Sequence, residues 1–276
     1  MTTAVLNTAN ALGDFVLCWP ILRSLHPSPT LVCPSEKAAL ARISLSLPTR
    51  SIHVPPWNAL LQGTGGQPIE GVARVISIGS LPAASRAALA RHAPHLSIVE
   101  TPAPLDRLLA LEWAGRLGVP CTAPLAGDPS GPITLHVGSG GRTKRWPLDR
   151  WLTLGQELGH LPTRLVAGEV EIEQWTPHEQ AGFLRAGGVF IRDLVALADC
   201  LRASRLVVAA DCGPGHLAAA LGVPTLSLFG PTDPGCWAPV GPAVRVLAPP
   251  TLRPMDWLKA ETVAATVGSL HDLVDR

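Results

Sequence analysis

The 276-residue sequence predicts an α/β protein built of two doubly wound domains that face each other across a central cleft. Three observations carry this. Short apolar segments of strand length alternate with helical stretches along the whole chain. The alternation breaks at a Pro-, Gly- and Ala-rich passage over residues 119–132 and restarts at Ile133. In the second half, two glycine-rich turns each follow directly on an apolar strand.

In the first half, residues 3–6 read as a short buried strand, 14–25 as a helix and 30–33 as the next strand, which is the start of a β-α-β unit. Residues 75–78 and 96–99 are further strands, with an Ala-rich helix over 85–92 between them and a helix over 105–117 closing this half. The second half reads as strand 133–137, helix 148–158, strand 163–167, a mostly helical stretch 170–184, helix 194–203, strand 206–210 and strand 225–229. The division falls after residue 127: an N-terminal domain of 1–127 and a C-terminal domain of 128–276, the latter ending in a helix over 260–274.

Composition excludes several functions. A hydrophobic content of 47% suffices for two cores. With 22 basic and 21 acidic residues, no broad field draws nucleic acid or an anionic membrane, so any anion site must be local. Six scattered cysteines without a Cys-x-x-Cys pair argue against a zinc site and a disulfide scaffold, and fit a reducing cytosol. Asn7, Asn10 and Asp14 interrupt the N-terminal apolar run, which argues against a signal peptide. The longest apolar region, 206–230, contains Asp211, Pro214, His216 and Pro224, and reads as a buried strand-turn-helix-strand, not a membrane span.

Within that region, Asp211-Cys212-Gly213-Pro214-Gly215-His216 forms a turn of the kind that binds phosphate. Gly213 and Gly215 allow close backbone approach, the helix start leaves its first N–H groups without internal partners, and His216 adds a side-chain donor. Asp211 is expected to order the turn by accepting backbone N–H groups. The second turn, Gly138-Ser139-Gly140-Gly141-Arg142-Thr143-Lys144-Arg145, places three cations just beyond a strand end. A lone basic loop is usually a solvated one. Two anion-type turns in one domain favour a joint site, with Lys144 as the direct phosphate contact. Neither turn is a Walker A loop or the Gly-x-Gly-x-x-Gly fingerprint, which weakens kinase-type and NAD-dependent readings.

Asp14 stands where the first strand gives way to a helix. Taken alone it reads first as a first-turn acid, stabilising by ~0.5–1 kcal/mol; the functional alternative is a general base facing the anion site. Glu171 and Glu173 follow the strand 163–167 and are either ribose acceptors or first-turn acids. Trp146, Trp151 and Trp237 read as packing residues.

Three blocks together resemble glycosyltransferase family 9, the lipopolysaccharide heptosyltransferases and their relatives. They are Ala11-Leu12-Gly13-Asp14 with Pro20 and Leu22-Arg23-Ser24-Leu25; Gly138 to Gly141 with Lys144-Arg145-Trp146-Pro147 and Trp151; and Asp211 to His216 with Leu217 to Pro224 and Phe229-Gly230-Pro231-Thr232. The resemblance implies a GT-B fold of two Rossmann-like domains, an N-terminal one for the acceptor and a C-terminal one for a nucleotide-activated sugar, typically ADP-heptose. It implies inverting, metal-independent transfer with no cofactor, with Asp14 as base. Ser139, Gly140, Gly141, Arg142, Lys144, Asp211, Gly213, Pro214, Gly215 and His216 then hold the diphosphate, Glu171 and Glu173 the ribose, and Arg192 lies near the nucleotide base. The implied partners are a nucleotide-sugar donor and a glycan or lipid-linked acceptor, in a cytoplasmic protein with at most peripheral contact with the inner face of the membrane. The last helix is implied to pack back toward the first domain. Two alternatives stay open: a sugar-nucleotide epimerase or hydrolase on the same fold, and a nucleotide-sugar-binding protein without activity.

Overall fold

The computed structural model describes residues 2–65, 67–121 and 124–274. The chain forms two compact units, Met1–Thr122 and Ala123–Arg276.

The first unit is a parallel five-stranded sheet of β1 (Thr2–Asn7), β2 (Thr30–Cys33), β3 (Thr49–Ser51), β4 (Val72–Ile78) and β5 (His95–Val99), in the order β3-β2-β1-β4-β5. β1 is central because Ala4, Val5 and Leu6 are apolar on both faces and completely buried, the pattern of a parallel strand covered on both sides. The expected helix 14–25 is two short helices, Leu12–Val16 and Trp19–Ser24. Pro20 enforces the break: it has no N–H to give to residue 16 and its ring collides with that carbonyl. The helix expected from residue 105 starts only at Leu109. Strand β3 and the helices Ser35–Leu45 and Trp57–Gln62 are additions to the sequence reading.

The second unit is a parallel six-stranded sheet of β6 (Ile133–His136), β7 (Thr163–Ala167), β8 (Val189–Phe190), β9 (Leu206–Ala210), β10 (Thr225–Leu228) and β11 (Val244–Leu247). Its order, β11-β10-β9-β6-β7-β8, is that of a dinucleotide-binding sheet, with the winding reversing between β6 and β9. The connections on either side of that reversal diverge, and the crevice opens where β6 and β9 end.

Residues before 128 belong to this unit. Ala126 N–H donates to Gly222 O at 2.8 Å and Asp128 N–H to Ser204 O at 3.2 Å. The units therefore part at 122/123, a little earlier than the composition of the passage suggests. Gly222 has φ +88°, and a Cβ there would lie 1.9 Å from Pro124 O.

The core of the second unit is formed by Ile133, Leu135, Val208 and Leu226 of the central strands with Trp146 and Trp151. Those two indoles meet edge to face at 4.8 Å between centroids, as expected of packing residues. The final helix, Ala260–Val274, packs on helix Leu148–Glu157, and its Val263 and Val267 are fully buried in this same core. Its described apolar residues thus serve the second unit itself. The stretch 170–184 divides at Thr176, which accepts from Glu179 N–H while the Glu179 carboxylate accepts from Thr176 N–H, so a new helix begins at Pro177. Among the described residues no helix is long and apolar enough to cross a membrane.

Candidate functional site

β6 and β9 are neighbours in parallel register, with His136 opposite Ala209. The two glycine-rich turns therefore leave the sheet side by side at its C-terminal edge, where open α/β sheets bind ligands. Ser139 Oγ donates to Asp211 O at 3.3 Å, tying one turn to the other. Lys144, at the end of the 3₁₀ turn Arg142–Lys144, brings its ammonium 2.7 Å from Asp211 Oδ2. Thr232 Oγ donates to the same oxygen at 2.7 Å, and His216 Nε2 lies 3.7 Å from Asp211 Oδ1.

Asp211 is thus the hub of the two turns. The partners described for its carboxylate are three side chains, in place of the backbone N–H groups expected from the sequence. Burial pushes its carboxyl up, but hydrogen bonds from His216, Lys144 and Thr232 and the Lys144 charge outweigh burial and hold it at about 2. A carboxylate this firmly ionised fixes the donors around it.

Helix Gly213–Ala220 starts from Cys212 with no side-chain cap. Pro214 has no N–H, His216 N–H donates to Cys212 O and the Cys212 sulfur faces Gly215 N–H, so among the described residues the Gly213 N–H is the open donor of the first turn. His216 sits in that turn, 7% exposed, and its Nδ1 is buried with no partner among the described residues. A buried polar atom without a partner needs one. Gly215 has a different role from the one expected: a Cβ there would lie 3.2 Å from Ala209 Cβ and 3.5 Å from Ala210 O, so its bareness lets the helix press on β9. At Gly140, by contrast, a Cβ would meet nothing within 4 Å, and at Gly141 a Cβ would lie 3.3 Å from Lys144 Cγ.

Glu171 sits beneath the first turn. It is 2% exposed, its Oε2 accepts from Gly168 N–H at 2.9 Å, and its carboxyl carbon occupies the space a Cβ on Gly138 would need, 2.1 Å away. Glu171 therefore caps helix Glu169–Gln174 and props the Gly138 turn, a buried position unsuited to a ribose. Glu173 and Arg192 are exposed, beyond β7 and β8 respectively, and neither has a described bond to the Asp211 cluster. Arg142 is exposed at the head of its 3₁₀ turn. Burial pushes the imidazole of His136 down while the Glu171 carboxylate acts against it, and His136 Nδ1 lies 4.0 Å from Cys212 Sγ. Burial drives that thiol up to about 12, and all six cysteines stand outside any disulfide.

Two residues of the cluster were not singled out from the sequence as site residues. Thr232 follows Gly230-Pro231 at the end of β10, and the available signal was that β10 adjoins β9. Arg145 Nε donates to Ser139 O at 3.3 Å, and its Nη2 is buried with no described partner. The clue there was adjacency to Lys144.

In the first unit, Asp14 is exposed in the first turn of the five-residue helix after β1, and no side chain caps that helix at Ala11. Among the described residues, no group of three or more His, Cys, Asp or Glu is placed to hold a metal ion.

The family model for glycosyltransferase family 9 (heptosyltransferase) matches residues 126–265, which contain every residue of the Asp211 cluster. Over 112 residues the chain is 40% identical to lipopolysaccharide heptosyltransferase 1 of Pseudomonas aeruginosa, covering 39% of this chain and 31% of that protein. Against lipopolysaccharide heptosyltransferase 1 of Escherichia coli K12 it is 32% identical over 99 residues, covering 33% of this chain and 30% of the relative. The aligned segment thus spans less than a third of the length of these curated relatives. Among solved structures, E. coli heptosyltransferase WaaC with ADP shares the fold at a TM-score of 0.72 and 18% identity, covering 98% of this chain and 99% of that one. E. coli ADP-heptose lipopolysaccharide heptosyltransferase II matches at 0.72 and 15% identity, over 100% of both chains. The architecture is therefore GT-B, and with the family model spanning half of its length the chain belongs to glycosyltransferase family 9.

Proposed function

We propose that this chain is an inverting glycosyltransferase that moves a heptose from a nucleotide-diphosphate donor such as ADP-heptose to a hydroxyl of a lipopolysaccharide-type acceptor. The observation that carries the reading is the convergence of Lys144, His216 and the open helix start at Gly213 around Asp211, at the crevice of a dinucleotide-type sheet. Family membership and the relatives' names supply the sugar and the nucleotide.

The second unit holds the donor. Lys144 offers positive charge and His216 Nδ1 and the Gly213 N–H offer hydrogen bonds where a diphosphate leaves, with Ser139, Gly140, Gly141, Arg142, Pro214 and Gly215 shaping the site. Exposed Glu173 takes the ribose, and Arg192 lies toward the nucleotide base. In the first unit, Asp14 accepts the proton of the acceptor hydroxyl. The acceptor oxygen forms the new bond to the anomeric carbon from the side opposite the diphosphate, the old carbon–oxygen bond breaks, and its electron pair leaves with ADP. Configuration inverts because there is one displacement.

Charge supplied by side chains and N–H groups supports a metal-independent reaction, and turnover that EDTA leaves unchanged tests this. We place the enzyme in the cytoplasm, in peripheral contact with the membrane that carries the acceptor.

The deciding experiment measures binding and turnover together. ADP at ~100 times its dissociation constant should add roughly 2.7 kcal/mol to folded-state stability in a thermal shift, and transfer should require both donor and acceptor. Lys144→Ala should cost ~3 kcal/mol of transition-state stabilisation, on the order of a hundredfold in rate or more. Parental turnover in that variant sinks the assignment. Rapid consumption of donor without acceptor makes the chain an epimerase or hydrolase, and tight donor binding without turnover makes it a binding protein.

A further inference from the structure

The connection from β1 to Asp14 cannot hold its own shape. The helix that carries Asp14, Leu12–Val16, has five residues, and its first residue is preceded by Ala11, which offers no capping side chain. A helix so short has little stability of its own, and the turn over residues 8–11 must be held from outside.

Two side chains hold it. Asn7, 1% exposed at the end of β1, accepts from Ala9 N–H at 2.9 Å through Oδ1 and donates from Nδ2 to Phe15 O at 3.2 Å. Lys37 reaches across from the first turn of helix Ser35–Leu45 and is 3% exposed, unusual for a lysine. Its ammonium donates to Ala9 O at 2.7 Å and to Asn10 O, and stands 5.6 Å above the Phe15 ring.

The charges around Lys37 come from three elements. Glu36, on its own helix, is 3.9 Å away and 61% exposed, so water screens the pair even though it is the largest of the three. Cys33, at the end of β2, is a thiol pushed up to about 11 and therefore neutral. The third is the Asp14 carboxylate itself. Burial pushes the Lys37 ammonium down, and Glu36, Cys33 and Asp14 act against it in that sequence of size. Burying an ammonium is costly, and an apolar residue would fill the space at less cost. The two carbonyls are what the charge serves.

We infer that Lys37 is the positioning residue for Asp14: clamped on the carbonyls of Ala9 and Asn10, its ammonium fixes the turn and the short helix that set where the Asp14 carboxylate stands. This rests on the reading of Asp14 as the base. A base must stand within hydrogen-bond reach of the acceptor hydroxyl, and misplacement of about an ångström costs on the order of a hundredfold.

Lys37→Met keeps the apolar stem and removes the ammonium. Its kcat should fall about tenfold or more, with the ADP dissociation constant unchanged, because the donor residues lie in the other unit. In an Asp14→Asn background the same change should cost nothing further, since the two act as one. If the Met variant does not fold by circular dichroism, Lys37→Ala with added propylamine is the second test. The amine should restore turnover, and 1-propanol at equal concentration should not.

A Lys37→Met enzyme that transfers like the parent while Asp14→Asn is inactive overturns the inference and leaves the base intact. An Asp14→Asn enzyme that transfers normally removes the base and the inference with it. Equal rescue by amine and alcohol shows a packing role and also overturns it.

Discussion

The Lys144 ammonium rests 2.7 Å from Asp211 Oδ2, pairing a lysine that keeps a third of its side chain open with a carboxylate only 5% exposed. The asymmetry gives the pair a direction. Asp211 also holds Thr232 and His216, so on the proposed function the partly open lysine is the member of the cluster free to meet a diphosphate. A buried carboxylate that presets a partly open cation is a preorganised site.

Asp211→Asn should therefore lower transfer about tenfold or more while weakening ADP less than Lys144→Ala does. The amide keeps the shape and can still accept from Thr232, but it no longer anchors the ammonium. Titration calorimetry with ADP, run beside a transfer assay, separates the two effects. Parental turnover in Asp211→Asn would leave the pair without a catalytic purpose.

Acid should loosen the second unit through the same carboxylate. Asp211 is held at about 2, below its ordinary 3.8, so the folded state binds its proton less readily than the unfolded state. The stability this gives is fully present above about pH 4 and is lost as pH falls toward 2, with a magnitude of about 2 kcal/mol. Urea unfolding of the parent across that window should show the loss, and Asp211→Asn should show a shallower dependence. Equal slopes in the two proteins would mean the ionised carboxylate carries no such stability.

The site was legible in the sequence to the extent that sheet logic reveals it. β6, β9 and β10 are fully buried runs, β6 and β10 bounded by Pro and Gly and β9 closed by Asp211 ahead of Gly213. Parallel neighbours end on one edge, which brings Lys144 and His216 to the same place without any knowledge of their contacts. Sequence pattern misses whatever depends on an edge or on a distant partner. β3 is Thr49-Arg50-Ser51, polar and half exposed, and carries no apolar signature, while β8 is only Val189-Phe190, too short a run to read as a strand. Glu171 reads from the sequence as an exposed first-turn acid or a ribose acceptor, and only the fold shows its carboxyl pressed on Gly138. Nothing next to Lys37 in the sequence marks it as buried, because the carbonyls it meets belong to another element.

That contact between Glu171 and Gly138 yields the sharpest stability test. Ala at 138 would set its Cβ 2.1 Å from Glu171 Cδ and 2.2 Å from Oε1, closer than real atoms approach. Glu171 is 2% exposed and bound to Gly168 N–H, so it cannot step aside without losing that bond. Gly138→Ala should cost about 1–3 kcal/mol from overpacking, and Glu171→Ala alone about 1 kcal/mol from the lost cap. Combined, the two should cost less than Gly138→Ala by itself, because the second change removes the group that the new methyl strikes. Urea midpoints for the four proteins read the coupling directly, and ADP titrations should follow it, since the Ser139 turn begins at Gly138. Simple additivity across the cycle would mean that the turn yields elsewhere and that Glu171 does not prop it.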